Sequence, residues 1–274
     1  MRLDSHQHFW VYDESNYPWI PRATPLHRDW LPAELEPLLR ASGFDGSIAV
    51  QARSTLEESH WLLTLADHAP LIKGVVGWVD LQHEQVEEQL ATLAEHPRFV
   101  GVRHVLQDED DRSMLRPAFV RGIGKLAQFN LTYDLLIYPR HLPAAIELVA
   151  KFPEQPFVLD HIAKPPIRAG TLSPWREQIK ELASAENVFC KLSGMITEAD
   201  HRHWRADDLQ PFMETVFEFF GANRLMFGSD WPVCLLAGSY ERVVSVVDGF
   251  IREYAPAARE PVLGENAARF YLRR

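Results

Sequence analysis

The opening of the chain carries its densest group of side chains able to do chemistry, His6-Gln7-His8, set in Asp4-Ser5-His6-Gln7-His8-Phe9-Trp10. If these residues continue a strand, positions i and i+2 project from one face, and the two imidazoles point the same way. Side-by-side imidazoles bind a divalent metal, polarise a carbonyl or orient an oxygen of a bound molecule. They can equally be satisfied by neighbouring backbone groups. Three more apolar runs end on polar residues: Val158-Leu159-Asp160-His161 on a histidine, Met226-Phe227-Gly228-Ser229-Asp230 on a carboxylate, and Gly101-Val102-Arg103-His104 on a guanidinium. Each has a structural reading of its own, since Asp230 can cap a helix and Arg103 can pair with a surface acid. Four such endings on one face of a fold are better explained as a shared site.

The elements that must carry these endings recur along the chain. Short apolar runs begin at Arg2-Leu3-Asp4, Gly46–Val50, Lys73–Trp78, Phe99–Arg103, Leu131–Leu135, Pro156–Asp160, Asn187–Leu192 and Arg224–Gly228. Their spacing, roughly 25 to 45 residues, is that of a strand–helix unit. Between them, Glu57–His68, Gln82–Glu95, His141–Phe152, Leu209–Phe220 and Tyr240–Tyr254 place leucine, alanine and valine three or four apart, as amphipathic helices do. Alternating strands and helices call for a parallel sheet. Eight units close most simply into one (β/α)₈ barrel, open to distortion, with long loops over its C-terminal face and residues 1–274 as a single domain. An open doubly wound sheet is the alternative, but no GxGxxG or GxxxxGK[ST] phosphate loop supports it. The Pro- and Trp-rich segment 11–31 is too long for a turn and is expected to lie over the barrel mouth; the loop after Met195, through Asp200, His201, His203 and Trp204, is a second candidate lid.

Composition narrows the partners. The chain has 274 residues, 46% hydrophobic and 24% charged, with a formal net charge of -10. An acidic total argues against a nucleic-acid partner, whereas one or two arginines can still hold a small acidic ligand. No stretch approaches the ~20 apolar residues of a membrane span. The N-terminus lacks a secretory signal, and Cys190 and Cys234 have no ligand-type spacing. A cytoplasmic protein, monomeric or a small homo-oligomer, acting on a small molecule is the expectation.

The opening motif, the Leu159-Asp160-His161 and Gly228-Ser229-Asp230-Trp231-Pro232 endings, and the closing Gly264-Glu265-Asn266-Ala267-Ala268-Arg269-Phe270-Tyr271 together resemble the amidohydrolase superfamily. Within it the chain is similar to the sugar-lactonase branch, related to 2-pyrone-4,6-dicarboxylate lactonase, and the resemblance runs over essentially the whole sequence. It implies a hydrolase that opens an aldonolactone such as an L-fucono- or L-rhamnono-lactone. In that reading His6 and His8 are the first-strand pair, His161 the sixth-strand histidine, and Asp230 the base for the attacking water. Two-metal members of the superfamily bridge their ions with a carboxylated lysine on or near the fourth strand; here that strand carries Arg103-His104, which argues against a two-metal site. The branch often works without a required metal. One zinc-type ion on His6, His8, His161 and Asp230 is compatible with the ligand types but not needed.

A lactone is an activated acyl group, so its hydrolysis needs a positioned water, a base and donors for the developing oxyanion. Asp230 is expected to be the base, and His6, His8, His161 or Arg103 the donors. Gln51, Trp78, Arg103, His104, Tyr133, Asp134 and Lys191 end strands and are candidates for substrate contact. Trp10, Tyr17, Trp19 and Trp231 add aromatic surface suited to the apolar face of a sugar. Two other readings stay open at this level: a metal-dependent decarboxylase on the same residues, and a sugar-binding barrel without turnover.

Overall fold

Eight parallel strands form one sheet in the order β1 to β8 in the computed structural model, which describes residues 1–273. They are β1 (Leu3–Gln7), β2 (Gly46–Val50), β3 (Ile72–Gly77), β4 (Phe99–Val105), β5 (Thr132–Leu136), β6 (Phe157–Leu159), β7 (Val188–Leu192) and β8 (Leu225–Phe227). The crossovers are α1 (Pro32–Ala41), α2 (Leu56–His68), α3 (Val86–Ala94), α4 (Pro117–Leu126), α5 (Leu142–Ala150), α6 (Trp175–Ala183) and α7 (Ala206–Phe220). Helix α8 (Tyr240–Tyr254) follows the last strand, and α9 (Asn266–Tyr271) ends the fold. This is a (β/α)₈ barrel. No helix among the described residues is long and apolar enough to cross a membrane.

All eight expected strands are present, and α2, α3, α5, α7 and α8 coincide with the expected helices. Helices α1, α4, α6 and α9 are additional to the expected ones. Pro37 sits inside α1, Gly122 lies inside α4, and α9 is only six residues long, so each weakens the periodic signal.

The barrel closes between β8 and β1 without a regular ladder. Gln7 bridges Trp231, the His8 N–H donates to Trp231 O (2.7 Å), and the Asp230 N–H donates to His6 O (2.8 Å). Side chains complete the seam: Ser5 Oγ donates to Phe227 O (2.6 Å), and Asp4 Oδ1 accepts from the Ser229 N–H (2.9 Å). Buried backbone groups must find partners somewhere, and here polar side chains supply them. This stitching sets Asp230 directly against the His6–His8 pair.

The barrel interior is layered. Ile48, Val76, Val100, Val158, Phe189 and Met226 fill the lower part, and Phe270 and Tyr271 of α9 close it from below. The second, larger core lies between the strands and the outer helices. The closing helix sits tight on β1: a Cβ on Gly264 would lie 2.4 Å from Met1 O and 2.5 Å from Leu3 N.

Segment 11–31 does cover the mouth. Trp10 Nε1 donates to Arg28 O (2.8 Å), the Tyr17 hydroxyl meets Glu58 of α2 (3.4 Å), and Trp19 Nε1 donates to Ala52 O (3.0 Å). The loop after Met195 is different. Its residues Thr197–His203 line a separate surface hollow with Arg168 and do not reach the central cavity.

Candidate active site

A cavity of about 390 Å³ opens at the C-terminal ends of the strands, the end where barrel enzymes place their chemistry. His8, Gln51, Arg103, His161 and Asp230 line its polar side; Trp19, Leu26, Leu136, Val233 and Leu236 line the other. A larger hollow of about 610 Å³ lies outside, between α7 and α8 around Trp204 and Tyr254, far from any strand end.

Asp230 is the focus. Its backbone is left-handed (φ 57°), fixed by the seam. Its Oδ1 lies 3.3 Å from His8 Nε2, 3.8 Å from His6 Nε2 and 3.9 Å from His161 Nε2, and the Nε2 atoms of His6 and His8 are 3.2 Å apart. The other ring nitrogens are held from behind. His8 Nδ1 donates to Val50 O (2.8 Å), because a carbonyl can only accept. His161 Nδ1 meets Ser193 Oγ (2.8 Å), and His6 Nδ1 lies between Lys191 Nζ (3.1 Å) and Asp160 Oδ1 (3.4 Å). The His161 ring packs against Gly194, where φ is +61° and any Cβ would lie 2.6 Å from Nδ1.

Arg103 is clamped. Its Nε and Nη2 reach Gln51 Oε1 (3.2 and 2.7 Å), Nη2 also reaches Gln51 O, and Nη1 donates to Asp160 Oδ2 (3.1 Å) while lying 3.3 Å from His6 Nε2. The paired charges below the cavity balance: Arg103 and Lys191 against Asp134 and Asp160. Asp230 is the buried carboxylate left facing imidazoles alone.

Burial shapes the acidities. It pushes His6 well below the usual imidazole range and His161 down to about 4, so both rings are neutral at pH 7. Burial alone would raise Asp230, but the His161 ring, the His8 contact and His6 outweigh it and hold the carboxyl below its ordinary range. Asp160 behaves alike: Lys191, His6 and Arg103 overcome burial. Asp134, more weakly compensated by Lys191, is pushed up to about 6.

The structure brings together His6, His8, His161, Asp230, Arg103 and Gln51, with Trp19 on the facing wall, but not the remaining candidates. Trp10 and Trp231 are fully buried in the wall, Trp231 packed edge-on against Trp30 and Phe9. Trp78 and His104 face away from the cavity, with Trp78 Nε1 donating to His104 Nδ1 (3.3 Å) and His104 bonded to Glu109, because neighbours along β4 alternate and Arg103 takes the inner face. Tyr133 packs in the outer core by the same alternation on β5. Lys191 and Asp134 point inward but lie beneath the cavity, 0% exposed. Residues not foreseen are Asp160, which stands beside His161 in the same run, and Gln107, Tyr138 and Lys164 at the rim. Lys164 Nζ donates to Gln107 Oε1 (2.7 Å) and lies 5.4 Å from the Tyr138 ring centre.

His6, His161 and Asp230 each offer a ligand atom within 4.8 Å of the others, and His8 Nε2 stands beside two of them, 3.2 Å from His6 Nε2 and 3.3 Å from Asp230 Oδ1. The imidazole nitrogens and a carboxylate oxygen that meet here are the ligand types a single zinc-type ion takes, and the second ring nitrogens of His8 and His161 are held by Val50 O and Ser193 Oγ.

These features define a barrel of the amidohydrolase class, and comparison agrees: the amidohydrolase family model matches residues 3–273, and the chain belongs to that family. L-fucono-1,5-lactonase of Burkholderia multivorans is 43% identical over 99% of this chain and 96% of its own length, and that of Burkholderia ambifaria is 39% identical over 98% and 95%. A crystal structure of a Burkholderia multivorans amidohydrolase with bound zinc superposes with a TM-score of 0.95, at 42% identity and 99% coverage of both chains.

Proposed function

We propose that the chain hydrolyses a sugar lactone, with an aldonolactone of the L-fucono-1,5 type as substrate and Asp230 as the base. The observation that carries this reading is the position of Asp230: an ionised carboxylate lining the cavity, free of any fixed cation and ringed by three imidazoles. Full-length similarity to two L-fucono-1,5-lactonases supports the substrate class.

In the reaction Asp230 takes a proton from water as the water oxygen bonds to the lactone carbonyl carbon. Arg103 donates to the oxyanion that forms. Collapse breaks the bond from the acyl carbon to the ring oxygen, and the proton on Asp230 passes to that oxygen. The product is the open hydroxy acid. Trp19 offers a face to the sugar ring, while Lys164 and Gln107 at the rim are placed to bind its hydroxyls.

A divalent ion held by His6, His8, His161 and Asp230 would supply Lewis acidity to a carbonyl. Turnover does not require it on this reading, because Arg103 already sets a fixed positive charge 3.3 Å from His6 Nε2. Full activity after exhaustive chelation is expected, and loss restored by zinc would refute metal independence.

The deciding experiment is a lactone panel followed with a pH indicator, comparing the native protein with Asp230→Asn. Acid release from L-fucono-type lactones should be abolished in the variant while circular dichroism stays native. Near-normal turnover by the variant would remove Asp230 from the mechanism.

A further inference from the structure

The closing motif Gly264–Tyr271 has no part in the hydrolysis just described, yet its last residue reaches the charged layer beneath the cavity. Asn266 Nδ2 donates to Ala222 O and Leu225 O (both 2.7 Å), tying α9 to the entrance of β8, and Gly264 lets it press on β1. So held, α9 aims Tyr271 up into the barrel floor. Its hydroxyl donates to Asp134 Oδ2 (2.7 Å), and its ring lies 5.4 Å from Lys191 Nζ.

From this arrangement we infer that Tyr271 is a positioning residue of the active site, acting through Asp134 and Lys191 on His6. Lys191 Nζ donates to Asp134 Oδ2 (2.6 Å) and to His6 Nδ1 (3.1 Å), and it lies 2.9 Å from Asp160 Oδ1 as an ion pair. Asp160 in turn holds Arg103 through Oδ2. The weak point of the chain is Asp134. Its Oδ1 has no partner, so its orientation rests on the two donors to Oδ2, Lys191 and Tyr271. Removing the hydroxyl leaves a buried carboxylate with one anchor, free to rotate and to draw Lys191 away from His6. A sub-ångström shift there is transmitted because the layer is sealed from bulk solvent: Asp134, Asp160, Lys191 and His6 are all 0% exposed.

The inference rests on the lactonase reading for its rate measurement, but not for its spectroscopic one. Tyr271→Phe deletes one oxygen; Asp134→Asn attacks the same link from the other side; Phe270→Leu removes only packing from the neighbouring floor residue. In Tyr271→Phe we expect kcat to fall about tenfold with KM nearly unchanged, as for loss of a group that orients catalytic ones. The imidazole ¹⁵N resonances of His6 should move, while those of His8, anchored on Val50 O, stay in place. Asp134→Asn should reproduce both changes. Phe270→Leu should lower the urea midpoint and leave kcat and the His6 resonances as they are. Native kcat and unmoved His6 resonances in Tyr271→Phe would overturn the inference, as would an equal kcat loss in Phe270→Leu. If the native protein turns over no lactone, the functional reading fails, and the His6 resonances still decide the positioning role.

Discussion

Arg103 shows how much a single side chain is asked to do. Its guanidinium spends donors on Gln51 and on Asp160 and keeps Nη1 at the cavity beside His6. A lysine carries the same charge but cannot fork between two partners. Arg103→Lys should therefore fold normally and lose about 10²–10³ in kcat, the usual cost of one oxyanion donor. Steady-state kinetics with circular dichroism checks this; unchanged kcat would show that the charge, not the fork, matters. At this scale the sequence was informative wherever a polar residue ended an apolar run, which is how His6, His8, His161, Arg103 and Asp230 came to notice. It was silent on which face each residue takes. His104 follows Arg103 on β4 and Trp78 follows the end of the neighbouring β3, yet both turn outward. Lys164 left no trace at all, because it enters the cavity through a run of left-handed residues, His161, Ile162, Ala163 and Lys164, that contains no glycine to announce it.

That run is the most strained element of the barrel. Left-handed backbone costs an L-residue about 1–2 kcal/mol, and Ile162 is β-branched. It is held by Trp175 Nε1 donating to Ile162 O (2.8 Å) and by burial of Ile162 in the outer core. Such strain clusters where side chains must be aimed, here His161 and Lys164 from one turn. The lid is anchored more plainly. Glu58 of α2 accepts from the N–H groups of Ala52 and Arg53 and meets the Tyr17 hydroxyl; the Arg53, Glu57 and Arg103 side chains complete its charged surroundings. Burial dominates and pushes Glu58 from 4.5 up to about 8. Because the folded pKa is the higher one, the protonated group's contribution is fully present below pH 4.5 and is lost as pH rises towards 8. Glu58→Gln cannot ionise, so its urea midpoint relative to the native protein should rise from pH 5 to pH 8. A constant difference would mean that Glu58 is already ionised at pH 5. The regular elements were legible because strands here are short continuous apolar runs, buried on both faces. The lid was legible only as a length of Pro and Trp too long for a turn; its anchor on Glu58, a residue indistinguishable in sequence from any helix-start glutamate, was not.

Across the whole molecule, the site depends on two closures that no local pattern encodes. One is the β8–β1 seam, which joins residues more than two hundred positions apart and sets Asp230 against His6 and His8. The other is the floor, where the final helix returns to the first strand. Gly264 sits at the contact between them, with the Met1 carbonyl, Arg2 Cα and Leu3 N all at 2.4–2.5 Å from where a Cβ would stand. Those are backbone atoms, and Leu3 is the first residue of a strand paired with β2, so the neighbour has little freedom to yield. Gly264→Ala must then push α9 outward, loosening Phe270 and Tyr271 from the barrel interior. Overpacking of this kind costs about 1–3 kcal/mol. We expect a lower urea midpoint together with a lower kcat, because the displaced helix carries Tyr271 away from Asp134. A native midpoint would show that α9 adjusts without cost; a lowered midpoint with native kcat would show that the floor stabilises the barrel without shaping its chemistry.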